Sequence, residues 1–541
     1  MSFVLRIFLA VLSALLLSLA FSSYNLDFLA WVGLVPLFFA LQGQGAKEAC
    51  RLSYLCGLIF FLSSMYWLVY VTPSGWILLS LYQALYFGIF GLLCSKLFTI
   101  HHSLFTSYFS IPAFWCLLEY LRSHIFGGIG WNLLAYSQYK NTPLIQIADI
   151  TGAYGVSFFI VLVNLAIFLV IKMAIRCQKT HKRLFAKADL PFKEEIKINP
   201  LFQTLAVMIL VACVLGYGHS RICNTVIAKS MATRQPQHGT SLKISVIQGN
   251  IPQTQKWDPD KKYPIMKRYS RLTLEAAKDE PDLIIWPETS VPGYAHKEKD
   301  VGLWLSSLAK KAEASLLVGA PASAGEEYDY NSAILFSKKG EFLKQYNKLH
   351  LVMFGEYIPF EKHHPQLRKY LPLTGNFTPG NDYTIFQLPA PSSQLPTKFG
   401  VLICFEDIFP GLVRRFVKEG ADFMVNITND AWFGKTAAAY QHAANSVFRA
   451  VENRRPFIRS ANTGLSCFID SLGRVYARVS DGGSDLFIEG YKSNTIKLYN
   501  RQLSFYTKYG DIFILLCLFI TTLFIIDYIS RRRYNKKLRR V

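Results

Sequence analysis

The sequence is poor in acidic residues and has no closely paired cysteines. Its 541 residues include 36 Asp and Glu against 58 Lys and Arg, and its ten cysteines form no CxxC pair. No histidine follows a cysteine at the spacing typical of zinc sites, so the pattern argues against a zinc module. We therefore expect neither a metal nor a cofactor.

The formal charge of +22 is unevenly distributed along the chain. Much of it lies in two segments beside apolar stretches, residues 172–197 and the C-terminal run RRRYNKKLRR. The segment 219–509 lacks the stripe of basic and aromatic residues typical of nucleic-acid binding, so no nucleic-acid partner is expected. Anionic lipid head groups are the simpler partners for these two segments.

Apolar stretches indicate a protein embedded in a membrane. Read in windows of about 19 residues, the sequence has stretches suited to crossing a hydrocarbon core. No small-residue cleavage site follows the first one, so we expect it to be retained rather than removed as a signal peptide. The eight predicted spans are 4–23, 26–41, 52–71, 76–100, 104–121, 153–175, 201–218 and 510–530.

The basic segments predict the orientation of these spans. Short loops rich in Lys and Arg usually face the cytoplasm, which places the segment after the sixth span and the C-terminal tail inside. Eight spans then put both termini in the cytoplasm and the long segment outside. The predicted organisation is a membrane domain 1–218, an external domain 219–505, an eighth helix 506–530 and a basic tail 531–541.

The external segment has the pattern of an α/β domain. Short β-rich runs such as LKISVIQG and DLIIWPE alternate with amphipathic helical stretches such as MKRYSRLTLEAAK. Reactive groups in such domains usually lie at the carboxyl ends of strands. Three predicted strands lead into Glu288, Lys348 and Cys404, so an acid, an amine and a thiol are expected at one edge.

These three residue types suit nucleophilic catalysis. A free thiol has a pKa of about 8.5 and needs a base, which Glu288 can provide. Attack on a carbonyl places negative charge on oxygen, which Lys348 and the backbone N–H of Phe405 can stabilise. Taken singly, Cys404 could be a buried hydrophobe, Glu288 a helix cap and Lys348 a surface lysine.

The local sequence around the three residues matches a known family. The contexts WPET, NKLHLVMFGEYIPF and CFED resemble the carbon–nitrogen hydrolase (nitrilase) superfamily. A domain placed between seven spans and an eighth is similar to its apolipoprotein N-acyltransferase branch. The segments QGNIPQTQKW, TNDAWFG, GGIGWNLLAYSQ and GAYGVSF fit as well, so the resemblance covers nearly the whole chain.

The resemblance implies a fold, a place and a reaction. It implies a four-layer αββα domain on the periplasmic face of a bacterial inner membrane. Glu288 would be the general base, Lys348 the oxyanion stabiliser and Cys404 the nucleophile. An acyl chain would pass from a phospholipid to the cysteine, then to the α-amine of the N-terminal diacylglyceryl-cysteine of an apolipoprotein, the last step of lipoprotein maturation.

The resemblance also implies supporting residues near this site. Glu356 would position Lys348 or stabilise the intermediate, and Trp257 and Glu406 would lie close by. Phe405 departs from the pattern, because many relatives have Tyr there, which leaves no hydroxyl for any role at that position.

The lipid substrate predicts further contacts. Each buried CH₂ is worth about 0.8 kcal/mol, so an acyl donor stays in the bilayer and the site must open toward lipid. Trp432 and Phe433 could line the acyl path or simply pack in the core. We expect Trp131 and Asn132, in the 122–152 loop, to hold a head group. The 359–380 segment is predicted to be a mobile arm, with an ordinary structured loop as the alternative.

Two other functions would share parts of this pattern. A membrane-bound nitrilase-type amidase would carry the same three residues, although one span would suffice to tether it. A transporter or receptor would need charged groups inside its spans, and only Glu119 and Asp149, near the outer edge, approach that pattern.

Overall fold

The chain forms two compact units in the computed structural model. One comprises Met1–Arg221 with Asp511–Val541, and the other comprises Ile222–Gly510. The structure describes residues 1–99, 104–186, 200–234, 240–325, 328–361, 363–370, 375–388, 396–498 and 502–538.

The first unit is helical. Helices satisfy their own backbone hydrogen bonds, which is what apolar segments need in a lipid environment. Its helices before the second unit are α1 Phe3–Ala20, α2 Val35–Leu41, α3 Ala46–Ser64, α4 Pro73–Thr99, α5 Leu104–Arg122, α6 Thr142–Ile145, α7 Ala148–Thr151, α8 Ala153–Ala186 and α9 Pro200–Arg234, the last of which ends in the second unit.

Within the described part of the chain, five helices are long and apolar enough to cross a membrane. They cover Phe3–Ala20, Pro73–Leu97, Ala153–Gln178, Thr204–Thr225 and Ile512–Arg531, and Asp27–Leu41 is a shorter apolar segment. The length and composition of these helices are consistent with a membrane-spanning unit.

Two of the predicted spans are broken in the structure. The 26–41 stretch consists of a 3₁₀ turn, Asp27–Trp31, followed by α2. Pro36 lies in the first turn of α2, where its missing N–H costs nothing, and the side chain of Asn164 accepts the N–H of Leu34 at 2.8 Å. The 52–71 stretch likewise divides into the end of α3 and a 3₁₀ turn at Tyr66–Tyr70.

The second unit is an α/β domain, as its sequence pattern predicts. Its helices are α10 Lys262–Ala277, α11 Lys299–Ala312, α12 Leu367–Tyr370, α13 Pro410–Lys418, α14 Ala438–Asn453 and α15 Phe505–Tyr509, after which α16 Ile512–Leu538 belongs to the first unit. Its strands are β1 Thr240–Gln248, β2 Leu283–Ile285, β3 Ser315–Ser323, β4 Asp329–Phe336, β5 Phe342–Asn347, β6 Ile385–Leu388, β7 Thr397–Ile403, β8 Phe423–Thr428, β9 Phe457–Ala461, β10 Cys467–Ile469, β11 Val475–Arg478 and β12 Gly490–Leu498.

These strands form two six-stranded sheets. Their orders are β12-β1-β2-β3-β4-β5 and β11-β10-β9-β8-β7-β6. In each sheet the middle three strands are parallel, β1 to β3 and β7 to β9, and the flanking pairs are antiparallel. Parallel strands are buried on both faces, which explains the unbroken apolar runs LII and GVLI.

One buried serine links the two sheets. The hydroxyl of Ser460 on β9 lies 2.9 Å from the carbonyl oxygen of Ile247 and 3.1 Å from that of Ile285, both in the other sheet. Behind the first sheet, α10 and α11 cover an apolar cluster in which Trp286 stacks on Tyr269 at 4.6 Å. The Trp286 indole donates a hydrogen bond to Thr273, which fixes the ring before the Glu288 turn.

Gly319 on β3 supports the turn that carries Glu288. Its carbonyl oxygen accepts the N–H groups of Ser290 and Val291 at 2.9 and 3.1 Å. A Cβ atom at Gly319 would lie 2.7 Å from the Cα of Glu288 and 2.7 Å from the nitrogen of Thr289. The absence of a side chain therefore lets the Glu288 turn lie directly against β3.

We expect Gly319→Ala to destabilise the protein, because the added methyl group meets backbone that cannot rotate away. Overpacking of this kind costs about 1–3 kcal/mol. Thermal unfolding in detergent should show a lower transition temperature. The matched control is Gly411→Ala on α13, where a Cβ meets no atom within 4 Å. Equal transition temperatures for the two variants would contradict the close approach.

Candidate active site

Cys404 lies at the end of β7 in a left-handed turn. Its φ is +56°, a conformation that costs a non-glycine residue about 1–2 kcal/mol. Its carbonyl oxygen accepts a hydrogen bond from Asn426 at 2.8 Å and lies 3.3 Å from Nε2 of His442. The side chain is half-buried, and Cys404 and Cys467 are both free thiols. The backbone contacts therefore hold the thiol at the carboxyl edge of the sheet.

Glu288 lies three residues beyond β2, at the corresponding edge of the other sheet. The carboxylate is buried, and its Oε1 accepts a hydrogen bond from Asn331 at 2.8 Å. The Nζ atom of Lys348 is 3.6 Å from the same oxygen. No helix follows Glu288, whose next residue, Thr289, has a φ of +45°, so the helix-cap interpretation is wrong.

Lys348 follows β5 and is almost completely buried. Its Nζ donates a hydrogen bond to Oε1 of Glu356 at 2.9 Å, and its backbone N–H donates to the carbonyl of Asn331. Burial alone lowers the pKa of Lys348, but the charges of Glu356 and then Glu288 outweigh it and raise the pKa above its usual range. Lys348 is therefore a fixed cation, and the surface-lysine interpretation is wrong.

Glu356 and Asn331 hold this cation in place. Glu356 Oε1 accepts from both Lys348 and Asn331, and its Oε2 accepts the N–H of Val352 at 2.8 Å. The Asn331 amide lies 2.8 Å from Glu288 and 2.9 Å from Glu356. One neutral donor thus lies between two carboxylates, buried Glu288 and half-buried Glu356, that share one lysine.

The Cys404 thiol is a weak nucleophile at rest. Burial raises its pKa well above the usual range, and the negative charge of Glu288 adds to that rise, whereas Lys348 lowers it. Glu288 and Lys348 therefore have opposite electrostatic effects on the thiol. A protonated thiol beside a carboxylate and a cation requires removal of its proton as it attacks.

Glu406 connects the ends of β5 and β7 rather than facing the thiol. One carboxylate oxygen accepts the N–H groups of Leu349 and His350, and the other accepts that of Ile403. The phenol of Tyr346 lies 3.0 Å from both oxygens. Burial raises the pKa of Glu406 to about 7, against these donors. Glu406 therefore fixes the strand ends that carry Lys348 and Cys404.

Phe405 contributes its ring, since it has no hydroxyl. The ring centroid is 5.2 Å from Nζ of Lys348, within the range of a cation–π contact. Glu406, which accepts the N–H of Ile403, holds the backbone of the turn that carries this ring.

A buried ionic cluster lies beside the Cys404 turn. His442 on α14 has Nδ1 2.8 Å from Asp430 and Nε2 3.2 Å from Asp407, and Arg459 pairs with Asp407 at 2.8 Å. Burial lowers the pKa of His442, but Asp407 and then Asp430 outweigh it and raise the pKa to about 9. Acceptors face both ring nitrogens, so His442 is an imidazolium under the Cys404 turn at neutral pH.

The aromatic residues expected near the substrate differ in exposure. Trp257 and Trp432 are 53% and 49% exposed, which excludes core packing for Trp432, while Phe433 is half-buried. An exposed indole beside a buried catalytic cluster is available to a ligand. Their contact with an acyl chain stays a prediction.

Trp131 and Asn132 belong to the first unit and are buried within it. The Trp131 ring lies 5.1 Å from that of Trp67, and Asn132 donates a hydrogen bond to Ser64. The carbonyl oxygens of both residues accept hydrogen bonds from Arg122. Asn132 also lines a cavity with Glu119 and several aromatic side chains. Their contact with a lipid head group stays a prediction.

The 359–380 segment is described only in part. Its described residues include α12 and an ion pair between Arg368 and Glu361, and Phe377 forms a β-bridge with Asp329. Residues 362 and 371–374 lie outside the described residues, and the motion proposed for this segment stays a prediction.

Sequence reasoning missed two residues of the site, Asn331 and Lys256. Asn331 looks like an ordinary polar residue in the strand run YNSAIL, and only the pairing of β4 with β5 places it beside Lys348. Lys256 donates hydrogen bonds to the carbonyl of Glu288 and the hydroxyl of Thr289, both at 2.9 Å. The sequence feature that could have pointed to Lys256 was its position directly before Trp257 in QGNIPQTQKW.

Comparison with known proteins agrees with this geometry. Residues 243–501 match the family model described as carbon-nitrogen hydrolase, and residues 13–166 match that of the apolipoprotein N-acyltransferase N-terminal domain. The second unit is therefore a carbon–nitrogen hydrolase domain. The whole chain belongs to the apolipoprotein N-acyltransferase family, which confirms the resemblance read from its motifs.

The relatives match this chain over most of its length. It is 36% identical to the apolipoprotein N-acyltransferase of Geobacter metallireducens, covering 94% of this chain and 92% of the relative. It is 30% identical to that of Rickettsia bellii, covering 90% of each chain. Among solved structures, an amidase from Nesterenkonia sp. has a TM-score of 0.36 at 17% identity, covering 50% of this chain and 94% of the amidase.

The charge of His442 predicts how stability depends on pH. The pKa of His442 is about 9 in the folded protein and about 6.5 in the unfolded chain. The stabilisation that its charge provides is therefore full below about pH 6.5 and is lost as the pH rises to about 9. We expect the stability of the native protein to fall by a few kcal/mol more than that of His442→Gln over this range. Denaturant unfolding at several pH values measures the difference.

The matched control is His364→Gln, because His364 is exposed. Its stability should follow the same pH dependence as the unmodified protein. If His442→Gln also follows it, the imidazolium assignment is wrong.

Proposed function

We propose that the protein transfers an acyl chain from a membrane phospholipid to the α-amino group of the N-terminal diacylglyceryl-cysteine of apolipoproteins. The observation that carries this proposal is the convergence of Glu288, Lys348 and Cys404 at adjoining strand ends. The family to which the chain belongs supports the choice of substrates. Transfer through a thioester on Cys404 is the mechanism that these three groups favour.

Acylation of the enzyme is the first step. The Cys404 sulfur attacks the ester carbonyl of the phospholipid, while Glu288 removes the thiol proton. Lys348 and the N–H of Phe405 stabilise the oxyanion that forms. As the carbon–oxygen ester bond breaks, Glu288 returns the proton to the departing lysophospholipid, and the acyl group remains on the sulfur.

Transfer to the acceptor is the second step. The α-amine of the apolipoprotein attacks the thioester carbonyl, and Glu288 accepts a proton from the nitrogen. The oxyanion forms again beside Lys348, and its collapse breaks the carbon–sulfur bond. The Cys404 thiolate then regains a proton from Glu288, and an amide remains on the acceptor.

Glu356 and Asn331 prepare Lys348 for both steps. Glu356 keeps the lysine charged and aimed by a 2.9 Å hydrogen bond, and Asn331 keeps the two carboxylates apart. The oxyanion stabiliser is therefore in position before substrate binds, so no reorganisation is needed as charge develops. Glu406 likewise fixes the backbone of the strand ends that carry Lys348 and Cys404 before substrate binds.

The lipid substrate gives the membrane unit a part in binding. We propose eight spans, in which α3, α5 and the segment Asp27–Leu41 join the five strongly apolar helices. The catalytic domain would lie in the periplasm of a bacterial cell, with both termini cytoplasmic. Its two sheets, linked at Ser460 and covered by α10, α11, α13 and α14, support a four-layer αββα arrangement.

Five residues are proposed to contact substrates. Trp257, Trp432 and Phe433 would contact the acyl chain, because the two tryptophan rings are exposed and Trp257 directly follows Lys256, which contacts the Glu288 carbonyl. Trp131 and Asn132 would help to hold the head group through the cavity that Asn132 lines. The proposed partners are therefore lipid and lipoprotein, with no nucleic acid.

We expect the enzyme alone to become acylated by phospholipid. In a lipid-lined pocket water competes poorly, so the thioester should persist until an amine arrives. Incubation with phospholipid labelled in its acyl chains, without acceptor, should place the label on Cys404. Neutral hydroxylamine should release it, and Cys404→Ala should acquire none. Turnover without such a species, and with kinetics that require both substrates bound together, would rule out the covalent route.

We expect Glu288→Gln to lose acyl transfer while the protein remains folded. Loss of general-base help typically costs about 10²–10⁴ in rate, and the amide keeps the shape of the side chain. Single-turnover acylation measures the rate, and thermal unfolding checks the fold. The matched control is Glu419→Gln, an exposed residue on the surface of the same domain. Near-normal transfer by Glu288→Gln would remove Glu288 from the mechanism.

A further inference from the structure

A second buried lysine lies beside the catalytic carboxylate. Lys256 follows a 3₁₀ turn, Gln253–Gln255, and only 5% of its surface is exposed. Its Nζ donates to the carbonyl oxygen of Glu288 and to the hydroxyl of Thr289, each at 2.9 Å. Both acceptors are uncharged, in contrast to Lys348, whose partner is a carboxylate.

The two hydrogen bonds of Lys256 hold the part of the Glu288 turn whose backbone conformation is least favourable. Thr289 has a φ of +45°, a region that β-branched residues rarely adopt. The carbonyl that Lys256 binds belongs to the peptide between Glu288 and Thr289. Gly319 supports the same turn from the opposite side, through the N–H groups of Ser290 and Val291. Lys256 and β3 together thus fix the backbone from which the general base extends.

The charge of Lys256 also acts on the reacting groups. The charged or titratable groups that face it are Glu288 and Cys404, and beyond Glu288 lie Lys348 and Glu356. Burial lowers the pKa of Lys256 to about 7, although Glu288 and then Cys404 oppose this. A lysine in this position changes charge within the physiological range, while Lys348 does not.

We propose that Lys256 is a positioning residue for Glu288, and that its ammonium group holds the general base in place and favours the thiolate of Cys404. The role rests on the proposed acyl transfer, in which Glu288 must reach the thiol. It is distinct from the role of Lys348, which meets the oxyanion. Lys256 acts through the backbone carbonyl of Glu288, whereas Lys348 lies near its carboxylate.

The proposal predicts a specific dependence on pH. Below about pH 7 Lys256 is protonated and the site is complete. As pH rises above this value the proton is lost, the neutral amine is a weaker donor, and the positive charge beside Cys404 disappears. Formation of the acyl-enzyme should therefore slow on the alkaline side, at a midpoint set by Lys256.

Single-turnover acylation by labelled phospholipid, followed from about pH 5 to about pH 9, tests this dependence. At low pH, Lys256→Met should acylate at least about tenfold more slowly, because losing charge stabilisation worth one pKa unit of the Cys404 thiol lowers the thiolate fraction tenfold. Lys256→Met should also lack the alkaline decline. Lys256→Arg should keep its rate through the alkaline range, because guanidinium stays protonated. Lys261→Met, at an exposed lysine nearby, is the matched control.

A second variant keeps the test decisive if arginine does not fit the buried position. Thr289→Val preserves the shape of the side chain and removes one of the two acceptors of Lys256. The ammonium form is then less well stabilised, so the alkaline decline should move to lower pH. The proposal fails if Lys256→Met retains the rate and pH profile of the unmodified protein, or if both other variants keep the original midpoint.

Alkylation of Cys404 by iodoacetamide separates this proposal from the proposed function, because it requires no lipid. Lys256→Met should react about tenfold more slowly than the unmodified protein near pH 6.5, since loss of the charge raises the pKa of the thiol. If this slowing occurs but phospholipid acylates neither protein, the proposed acyl donor is wrong and the role of Lys256 stands. Equal alkylation rates would overturn the proposed effect of Lys256 on the thiol.

Discussion

The site depends on a cation that is buried among carboxylates. Lys348 is almost fully removed from solvent, 2.9 Å from Glu356 and 3.6 Å from Glu288. Removing Lys348 would leave the carboxylate of Glu356 without its ion-pair partner, and breaking a buried pair in this way typically costs about 3–5 kcal/mol. The cation also requires Asn331 and Glu406. Asn331 lies between the two carboxylates, and Glu406 connects the strand ends that carry the lysine and the thiol.

The backbone around the reacting groups is also held in place by buried side chains. Cys404 and Thr289 both have left-handed conformations at the ends of parallel strands, and each lies beside a carbonyl held by a buried donor. Such strain persists only where the surroundings over-determine it. The imidazolium of His442 lies under one turn and Lys256 under the other. Ionisable side chains thus contact the backbone of both turns.

The sequence carried enough information to predict that three candidate catalytic residues lie at strand ends. Glu288, Lys348 and Cys404 each follow an apolar or alternating run, which indicates a strand end. The expectation of one common edge was wrong, because Glu288 and Lys348 follow strands of one sheet and Cys404 follows a strand of the other, so their convergence depends on how the two sheets pack. Asn331 and Lys256 carry no such signal, because their roles arise from strand pairing and from a loop that folds back on the Glu288 turn. Apolar length alone also did not show that the 26–41 stretch breaks before α2, where Pro36 and the amide of Asn164 determine the start of the helix.

The most direct test is the mass of a lipoprotein N-terminus in cells with and without this protein. If the account is correct, the N-terminal peptide gains one amide-linked acyl chain when the protein is present, and the gain is lost when Cys404→Ala replaces it. Lysophospholipid should accumulate in equal amount. Release of free fatty acid with an unchanged N-terminal peptide would show hydrolysis instead, and would contradict the assignment of the protein as an acyltransferase.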